Sequence, residues 1–336
     1  MSQILSFANK YQRITIIQAE NPDADSLGSA LALESALDAA LAAGTDITLY
    51  CPVQIPKYLR YLSGWDRVTD DFDVKADAAI IVDTASKVLL SKLLEKPEIA
   101  HFLQHKPILV IDHHETSPDL PFSFEAIVAP AESTTRLVFA DLADRSPDLP
   151  DVITPSAAQN LLAGLMGDTL GLTTASVGAS SFRLAADLID KGANINQLEQ
   201  ARHELMKKSQ RILRYKADLI QRVEYHLDGR LATVLIPFDD IQAYSDEYNP
   251  NVLILDELRL VEGVELAIAI KTYPDGKLTG KLRAAKPVAE ELASAFGGGG
   301  HPYAAGFRVY EDYSAFMPEL INKAADILDS LGRGTS

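Results

Sequence analysis

Short apolar runs recur through the first part of the chain, and most of them stop at a carboxylate or an acidic loop. Residues 13–18 (Arg-Ile-Thr-Ile-Ile-Gln) read as a strand, followed by the loop Asn21-Pro22-Asp23-Ala24-Asp25. Further strands are predicted over 46–50, 78–83 and 108–111 and around 124–128. The runs are β-branched and nearly continuous rather than alternating, as in strands covered on both faces. Between them lie stretches of helical character. One is Ala/Leu-rich over 26–43 with Gly44 as its expected C-cap, and another is Leu/Lys-rich before Ile108. Strands alternating with helices predict a mostly parallel, doubly wound α/β sheet.

The pattern then changes. Residues 157–166 look helical and run into Gly167-Asp168-Thr169. The segment 181–226 is strongly helical, broken near Gly192-Ala193-Asn194, and its charged part, 202–222, reads as a connector. From Arg230 the runs are short and β-rich (231–236, 264–272, 277–282), separated by turns such as Pro274-Asp275-Gly276. The expected organisation is a larger α/β domain over 1–195, a helical connector over 196–226 and a smaller α/β domain over 227–332. A chain of 336 residues suits two domains.

Composition narrows the class. Apolar residues make up 47% and charged residues 23%, which is ample for a globular core. No apolar run approaches a membrane span, and the first residues carry no secretory signal, so no membrane partner is expected. The single cysteine, Cys51, excludes an internal disulfide framework and fits a reducing, cytoplasmic location. With 47 acidic against 31 basic side chains, the net charge of −16 disfavours a long duplex as the main ligand. A small anionic substrate held through metal ions needs no global positive charge.

The chemistry gathers at the ends of the predicted elements. Asp23 and Asp25 follow the first strand, Asp83 ends the third, Asp112, His113 and His114 close the fourth, and Asp168 follows a helix. Singly, each is more often a cap or turn former than a ligand. A doubly wound sheet, however, lines up the carboxyl ends of its central strands, so these side chains are expected to share one site. Carboxylates crowded together raise one another's pKa unless cations neutralise them. Carboxylate with imidazole suits a divalent ion such as Mn²⁺ or Zn²⁺. Two ions roughly 3.5–4 Å apart are the recurring arrangement for displacement at phosphorus. Separately, Gly297-Gly298-Gly299-Gly300 allows close backbone approach and a cradle of N–H groups, though it is neither a Walker A loop nor a dinucleotide fingerprint.

Asn21-Pro22-Asp23-Ala24-Asp25-Ser26-Leu27-Gly28-Ser29, Val82-Asp83-Thr84, Asp112-His113-His114 and Gly167-Asp168-Thr169 resemble the four ordered motifs of the DHH phosphoesterase family. The run from Gly297 through His301 to Gly306 is similar to the glycine–histidine signature of the DHHA1 domain. Size and motif order resemble the nanoRNase/pAp-phosphatase (oligoribonuclease) branch. The resemblance implies a DHH domain joined by the connector to a DHHA1 domain.

It further implies two Mn²⁺ ions, with Mg²⁺ or Co²⁺ as alternatives. Asp23 would bind one, Asp25, His113 and Asp168 the other, and Asp83 would bridge them. His114 would face the scissile phosphate with Asp112 supporting it, while Arg283, Gly298, Gly299, Gly300 and His301 would grip substrate. The implied reaction is hydrolysis of phosphate esters in short oligonucleotides or small nucleotides (nanoRNA, pAp, linear dinucleotides) by a two-metal activated water. The implied partner is a small nucleotide or short single-stranded oligonucleotide, and pairing of two copies of the chain is left open. A single-strand-specific exonuclease and a non-catalytic nucleotide-binding protein with a decayed first metal site remain as alternatives.

Two positions depart from the family pattern. The branch carries His four residues before the first Asp, and here that residue is Ala19, so one metal site is expected to be weak, water-completed or served by Glu20. After Asp168-Thr169 the chain reads Leu170-Gly171-Leu172, where relatives place Gly and then an aromatic. A different loop shape and substrate choice are expected there.

Overall fold

Strands β1 (Arg13–Ile17), β2 (Asp46–Tyr50), β3 (Val68–Thr69), β4 (Ala78–Val82), β5 (Ile108–Asp112) and β6 (Glu125–Val128) form one sheet in the order β3-β2-β1-β4-β5-β6. Every pairing in it is parallel. The order reverses between β1 and β4, and a sheet of this kind binds ligands outside the carboxyl ends of the strands at that switch point. The computed structural model describes residues 2–41, 44–114, 116–144 and 151–333 and divides into two compact units, Met1–Lys207 and Lys208–Ser336.

The helices of the first unit are α1 (Gln3–Ala8), α2 (Ala24–Ala40), α3 (Ser91–Leu94), α4 (Pro97–His105), α5 (Thr134–Ala143), α6 (Pro155–Asp168), α7 (Ala179–Asp190) and α8 (Ile195–Met206). They cover both faces of the sheet. On one face Ile14, Ile16 and Ile111 pack with Leu27 and Leu31 of α2 and Leu161 of α6. On the other Ile17, Ile81 and Val110 pack with Leu93 and Phe102. Burial on both sides is why the strands read as unbroken apolar runs.

Helix α2 starts on Asp23, whose carboxylate accepts from Asp25 N and Ser26 N at 2.9 Å each, and Ser26 Oγ accepts from Asp23 N in return. This reciprocal cap satisfies backbone donors that otherwise have no partner in the first turn. The helix is capped at its end by Leu41. Gly44, the expected cap, instead takes a left-handed φ of +106° in the turn before β2, and the expected end at residue 43 lies outside the described residues.

Helices α2 and α6 cross without room for side chains. A Cβ at Gly28 would stand 2.5 Å from the Asn160 carbonyl oxygen. One at Gly164 would stand 2.4 Å from Thr135 Cγ2 and 2.9 Å from Asp25 Oδ1. That close approach brings the last residue of α6, Asp168, toward the first turn of α2.

The second unit contains β7 (Val223–His226), β8 (Leu231–Ile236), β9 (Leu266–Thr272), β10 (Lys277–Ala284), β11 (Gly299–His301) and β12 (Ala304–Tyr310), in the order β11-β12-β10-β9-β8-β7. Among these described strands only β8 and β9 pair in parallel. Helices α9 (Gln210–Gln221), α10 (Phe238–Tyr244), α11 (Pro250–Leu258), α12 (Ala289–Ala295) and α13 (Tyr313–Arg333) complete it. The segment 196–226 expected as a connector is divided. Leu198 of α8 is buried in the core of the first unit, whereas Ile212, Tyr215 and Leu219 of α9 are buried in the second. Its last residues are not helical: Val223–His226 pair antiparallel with 231–234, a ladder that local helical periodicity does not reveal.

Among the described residues, no helix is long and apolar enough to cross a membrane.

Candidate metal centre

The carboxyl ends of β1, β4 and β5 and the ends of helices α2, α5 and α6 supply the residues of this centre in the first unit. Asp83 follows β4 in a left-handed conformation (φ +64°) while its N–H donates to the Ile111 carbonyl at 2.8 Å. That backbone costs a non-glycine residue about 1–2 kcal/mol, and it aims a carboxylate off the end of the sheet. The carboxylate accepts from Thr134 Oγ1 at 2.9 Å. Asp25, fully buried, accepts from the backbone N–H groups of Thr134 and Thr135 at the start of α5. Thr134 therefore touches two of the acids, one through its hydroxyl and one through its backbone.

His113 is placed among these carboxylates by its far nitrogen. Nδ1 lies 3.0 Å from the Ala131 carbonyl, a partner that can only accept, so the proton sits on Nδ1 in the neutral ring and leaves the Nε2 lone pair free. Nε2 lies 3.2 Å from Asp168, 3.5 Å from Asp83 and 3.9 Å from Asp25. Ligand atoms of Asp25, His113 and Asp168 all fall within 4.8 Å of one another, as do those of Asp83, His113 and His114. Asp23 stands apart from both groups, with one carboxylate oxygen capping α2. Asp112, 1% exposed at the end of β5, accepts from His114 at 2.7 Å between Oδ1 and Nδ1.

Burial and mutual repulsion disfavour the ionised forms of Asp25, Asp83 and Asp168. Burial raises Asp83 well above the ordinary carboxylate range, and the charges of Asp25 and Asp23 raise it further. Asp168 is pushed up to about 7 by burial first and then by Asp25 and Asp23. Burial also raises Asp25, against the hydrogen bonds from Thr135 and Thr134 that lower it. His114 is raised, chiefly by its hydrogen bond to Asp112. Buried oxygens that repel one another, around an imidazole nitrogen with a free lone pair, fit a divalent cation by both charge and donor type.

The two departures noted in the sequence have local structural outcomes. Glu20 does not fill the place left by Ala19: its carboxylate accepts from Ser91 Oγ at 3.1 Å and Lys92 N at 3.0 Å, capping the start of α3. After Asp168 the chain passes through three consecutive left-handed residues, Leu170 (φ +48°), Gly171 (+75°) and Leu172 (+64°), and Leu170 is 74% exposed.

In the second unit, Arg283, Gly299 and Gly300 line a cavity of about 380 Å³ together with Lys281, Asn249 and Asn251. Lys281 and Arg283 are two apart on β10 and share one face of the sheet. Gly298 is packed rather than open, since a Cβ there would stand 2.2 Å from the Gly306 carbonyl oxygen. His301 is exposed and paired opposite Ala304. Thr134, Asn249 and Asn251 were not singled out from sequence. Ser133-Thr134-Thr135 before an apolar helical run is an N-cap signal that marks the place of Thr134, if not its contact with Asp83.

The profile of the DHH family, N-terminal domain, matches residues 13–165, and that of the DHHA1 domain matches residues 241–331. The chain belongs to the DHH/DHHA1 phosphoesterase family. Members are metal-dependent hydrolases, and this one is a hydrolase of ester bonds. The first three motifs lie inside the DHH match, Asp168 follows its end, and the glycine–histidine run lies inside the DHHA1 match.

Relatives of the full length are also similar. The bifunctional oligoribonuclease and PAP phosphatase NrnA of Thermus thermophilus is 27% identical over 288 residues, 85% of this chain and 81% of that protein. Its namesake in Bacillus subtilis is 21% identical over 309 residues, covering 92% and 93%. The crystal structure of an exopolyphosphatase-related protein from Bacteroides fragilis has a TM-score of 0.80 at 20% identity, covering 97% of this chain and 94% of that one. At that identity the likeness is one of fold.

Proposed function

We propose that this phosphoesterase is Mn²⁺-dependent and hydrolyses short single-stranded oligonucleotides and small nucleotides in the cytoplasm. The observation that carries the reading is His113, with Nε2 turned toward three carboxylates at 3.2–3.9 Å. The names of the Thermus and Bacillus relatives support the substrate class. The net charge of −16 argues against gripping long duplex.

In this reading Asp25, His113 and Asp168 hold one ion, Asp23 contributes to a second, and Asp83 is shared. When bound, the ions activate water and neutralise charge on the phosphate. The remaining work belongs to the chain. Thr134 fixes the rotamers of Asp25 and Asp83 through the bonds it donates. Asp112 holds the Nδ1 proton of His114, favours the imidazolium and leaves Nε2–H to face a phosphate oxygen. Lys281, Arg283 and the backbone of Gly299 and Gly300 grip a nucleotide phosphate in the second unit, with Gly298 shaping that turn and His301 at its rim.

The test is Mn²⁺-dependent turnover of 3′-phosphoadenosine 5′-phosphate, a dinucleotide, a labelled short RNA and pyrophosphate, measured side by side. Turnover of the first three without pyrophosphate cleavage is expected. Binding of Mn²⁺ and dinucleotide with no turnover of any substrate would replace the enzyme by a nucleotide-binding protein, a reading favoured only by the poor donor set around Ala19.

A further inference from the structure

Gln18 continues the ladder of β1, its N–H donating to the Tyr50 carbonyl at 3.0 Å, and its side chain is completely buried. Among the described residues, neither Oε1 nor Nε2 has a hydrogen-bond partner. A buried primary amide with all its polar atoms unpaired loses its hydration and gains nothing in exchange.

The surroundings indicate what it faces. Side chains alternate along a strand. Ile14 and Ile16 pack with Leu27 and Leu31 of α2, whereas Ile17 belongs to the cluster on the opposite face. Gln18 is therefore on the α2 side. The parallel ladder ends with Ile17 opposite Ile81, one residue short of Gln18 on one strand and two short of Asp83 on its neighbour. Adjacent strands are about 4.8 Å apart, and a Gln side chain spans that distance. Gln18 thus stands on the α2 face at the carboxyl end of β1, five residues before Asp23 and next to the strand that leads to Asp83. Complete burial does not exclude a ligand role, since Asp25 is equally buried. Of its two neighbours in sequence, Ala19 has no side-chain donor atom and Glu20 is bonded to Ser91 and Lys92.

We propose that Gln18 belongs to the metal centre. Its Oε1 is a ligand to the cation held by Asp23 and Asp83, and its Nε2 donates to a carboxylate oxygen of the same site. Side-chain amide carbonyls are ordinary ligands of hard divalent ions beside carboxylates. The orphaned amide is then the cost, in the metal-free chain, of a coordination shell completed on binding. This inference rests on the two-ion reading given above.

Gln18→Leu and Gln18→Glu test it, with calorimetric Mn²⁺ titration and thermal melting of metal-free protein as readouts. Gln18→Leu removes the amide at similar volume and should melt higher than the unmutated protein without metal. It should bind the weaker class of Mn²⁺ at least tenfold less tightly while the tighter class is unchanged. Gln18→Glu adds a buried carboxylate, so it should melt lower without metal and bind the weaker class more tightly; this variant carries the test if the leucine variant does not fold. Two Mn²⁺ classes of unmutated affinity in both variants would overturn the proposal and leave the metal centre standing. No Mn²⁺ binding by the unmutated protein would overturn the metal centre and this proposal together.

Discussion

Oδ1 of Asp112 lies 2.7 Å from Nδ1 of His114, joining a buried carboxylate to an imidazole that is half exposed. The bond is the leading cause of the raised pKa of His114. Asp112→Asn should therefore lower that pKa, as read by NMR titration of the ring, and reduce kcat/KM by roughly tenfold, the scale of losing an orienting partner. For stability, a raised histidine pKa means the pair helps fully below the unfolded pKa near 6.5 and that the help is lost as pH rises through the folded value. An unchanged His114 titration in the variant would remove Asp112 from the role of orienter.

In the proposed reading Asp83 is shared by the two ions and His113 holds one of them, so removal of either should be severe. Asp83→Ala and His113→Ala are each expected to lower Mn²⁺-dependent turnover by roughly a thousandfold or more without unfolding the chain. Asp83→Ala should also raise the melting temperature of metal-free protein, because it deletes a buried acid repelled by Asp25 and Asp23. Loss of the Thr134 hydroxyl's acceptor offsets part of that gain. Near-normal turnover in either variant would take these residues out of the mechanism.

The crowded acids also give the metal-free protein an unusual pH dependence. Asp168 holds its proton to about 7 when folded, against 3.8 for the unperturbed group. Between those values the folded state binds more protons than the unfolded state, so stability falls as pH rises from about 4 to about 7. Asp25 and Asp83 are shifted in the same direction and add to the slope. Melting scans at pH 5 and pH 8 should show lower stability at pH 8 with a chelator present, and little difference with Mn²⁺. Equal chelated melting temperatures would contradict the crowding.

What the sequence revealed and what it concealed divide along physical lines. The central strands were legible because burial on both faces writes them as unbroken β-branched runs, as in Ile108-Leu109-Val110-Ile111. The acids and imidazoles were legible because they follow those runs directly, and a parallel sheet aligns its strand ends. The left-handed backbone of Asp83 and the double contact of Thr134 were not, since no local side-chain pattern marks the first and the second joins residues 51 and 109 positions apart. Strand β7 was hidden in a charged, helix-like stretch, and β11 in a glycine run with no side-chain period to read. Glu20 had the right chemistry for a ligand, and only its bonds to Ser91 and Lys92 turn it away.

The last prediction separates grip from chemistry. Lys281 and Arg283 line the cavity of the second unit, and Lys271, lowered by burial and then by the nearby Lys281 charge, adds to the positive field there. Of the polar side chains on that lining two are cations, two are amides and one is the carboxylate of Asp256, so an anion such as a nucleotide phosphate meets more positive and amide groups than negative ones. Arg283→Ala should raise KM for a dinucleotide by about 10–100-fold, the loss expected for one charge-assisted, bidentate contact. Arg283 lies on the second unit, away in sequence from every acid of the metal centre, so Mn²⁺ stoichiometry should be unchanged. The control is a small chromogenic phosphodiester that carries no second nucleotide to hold. Its kcat/KM should stay within about threefold, because it draws on the metal centre but on little of the grip. Equal losses on the dinucleotide and on the chromogenic ester would assign Arg283 to the chemical step instead of substrate binding.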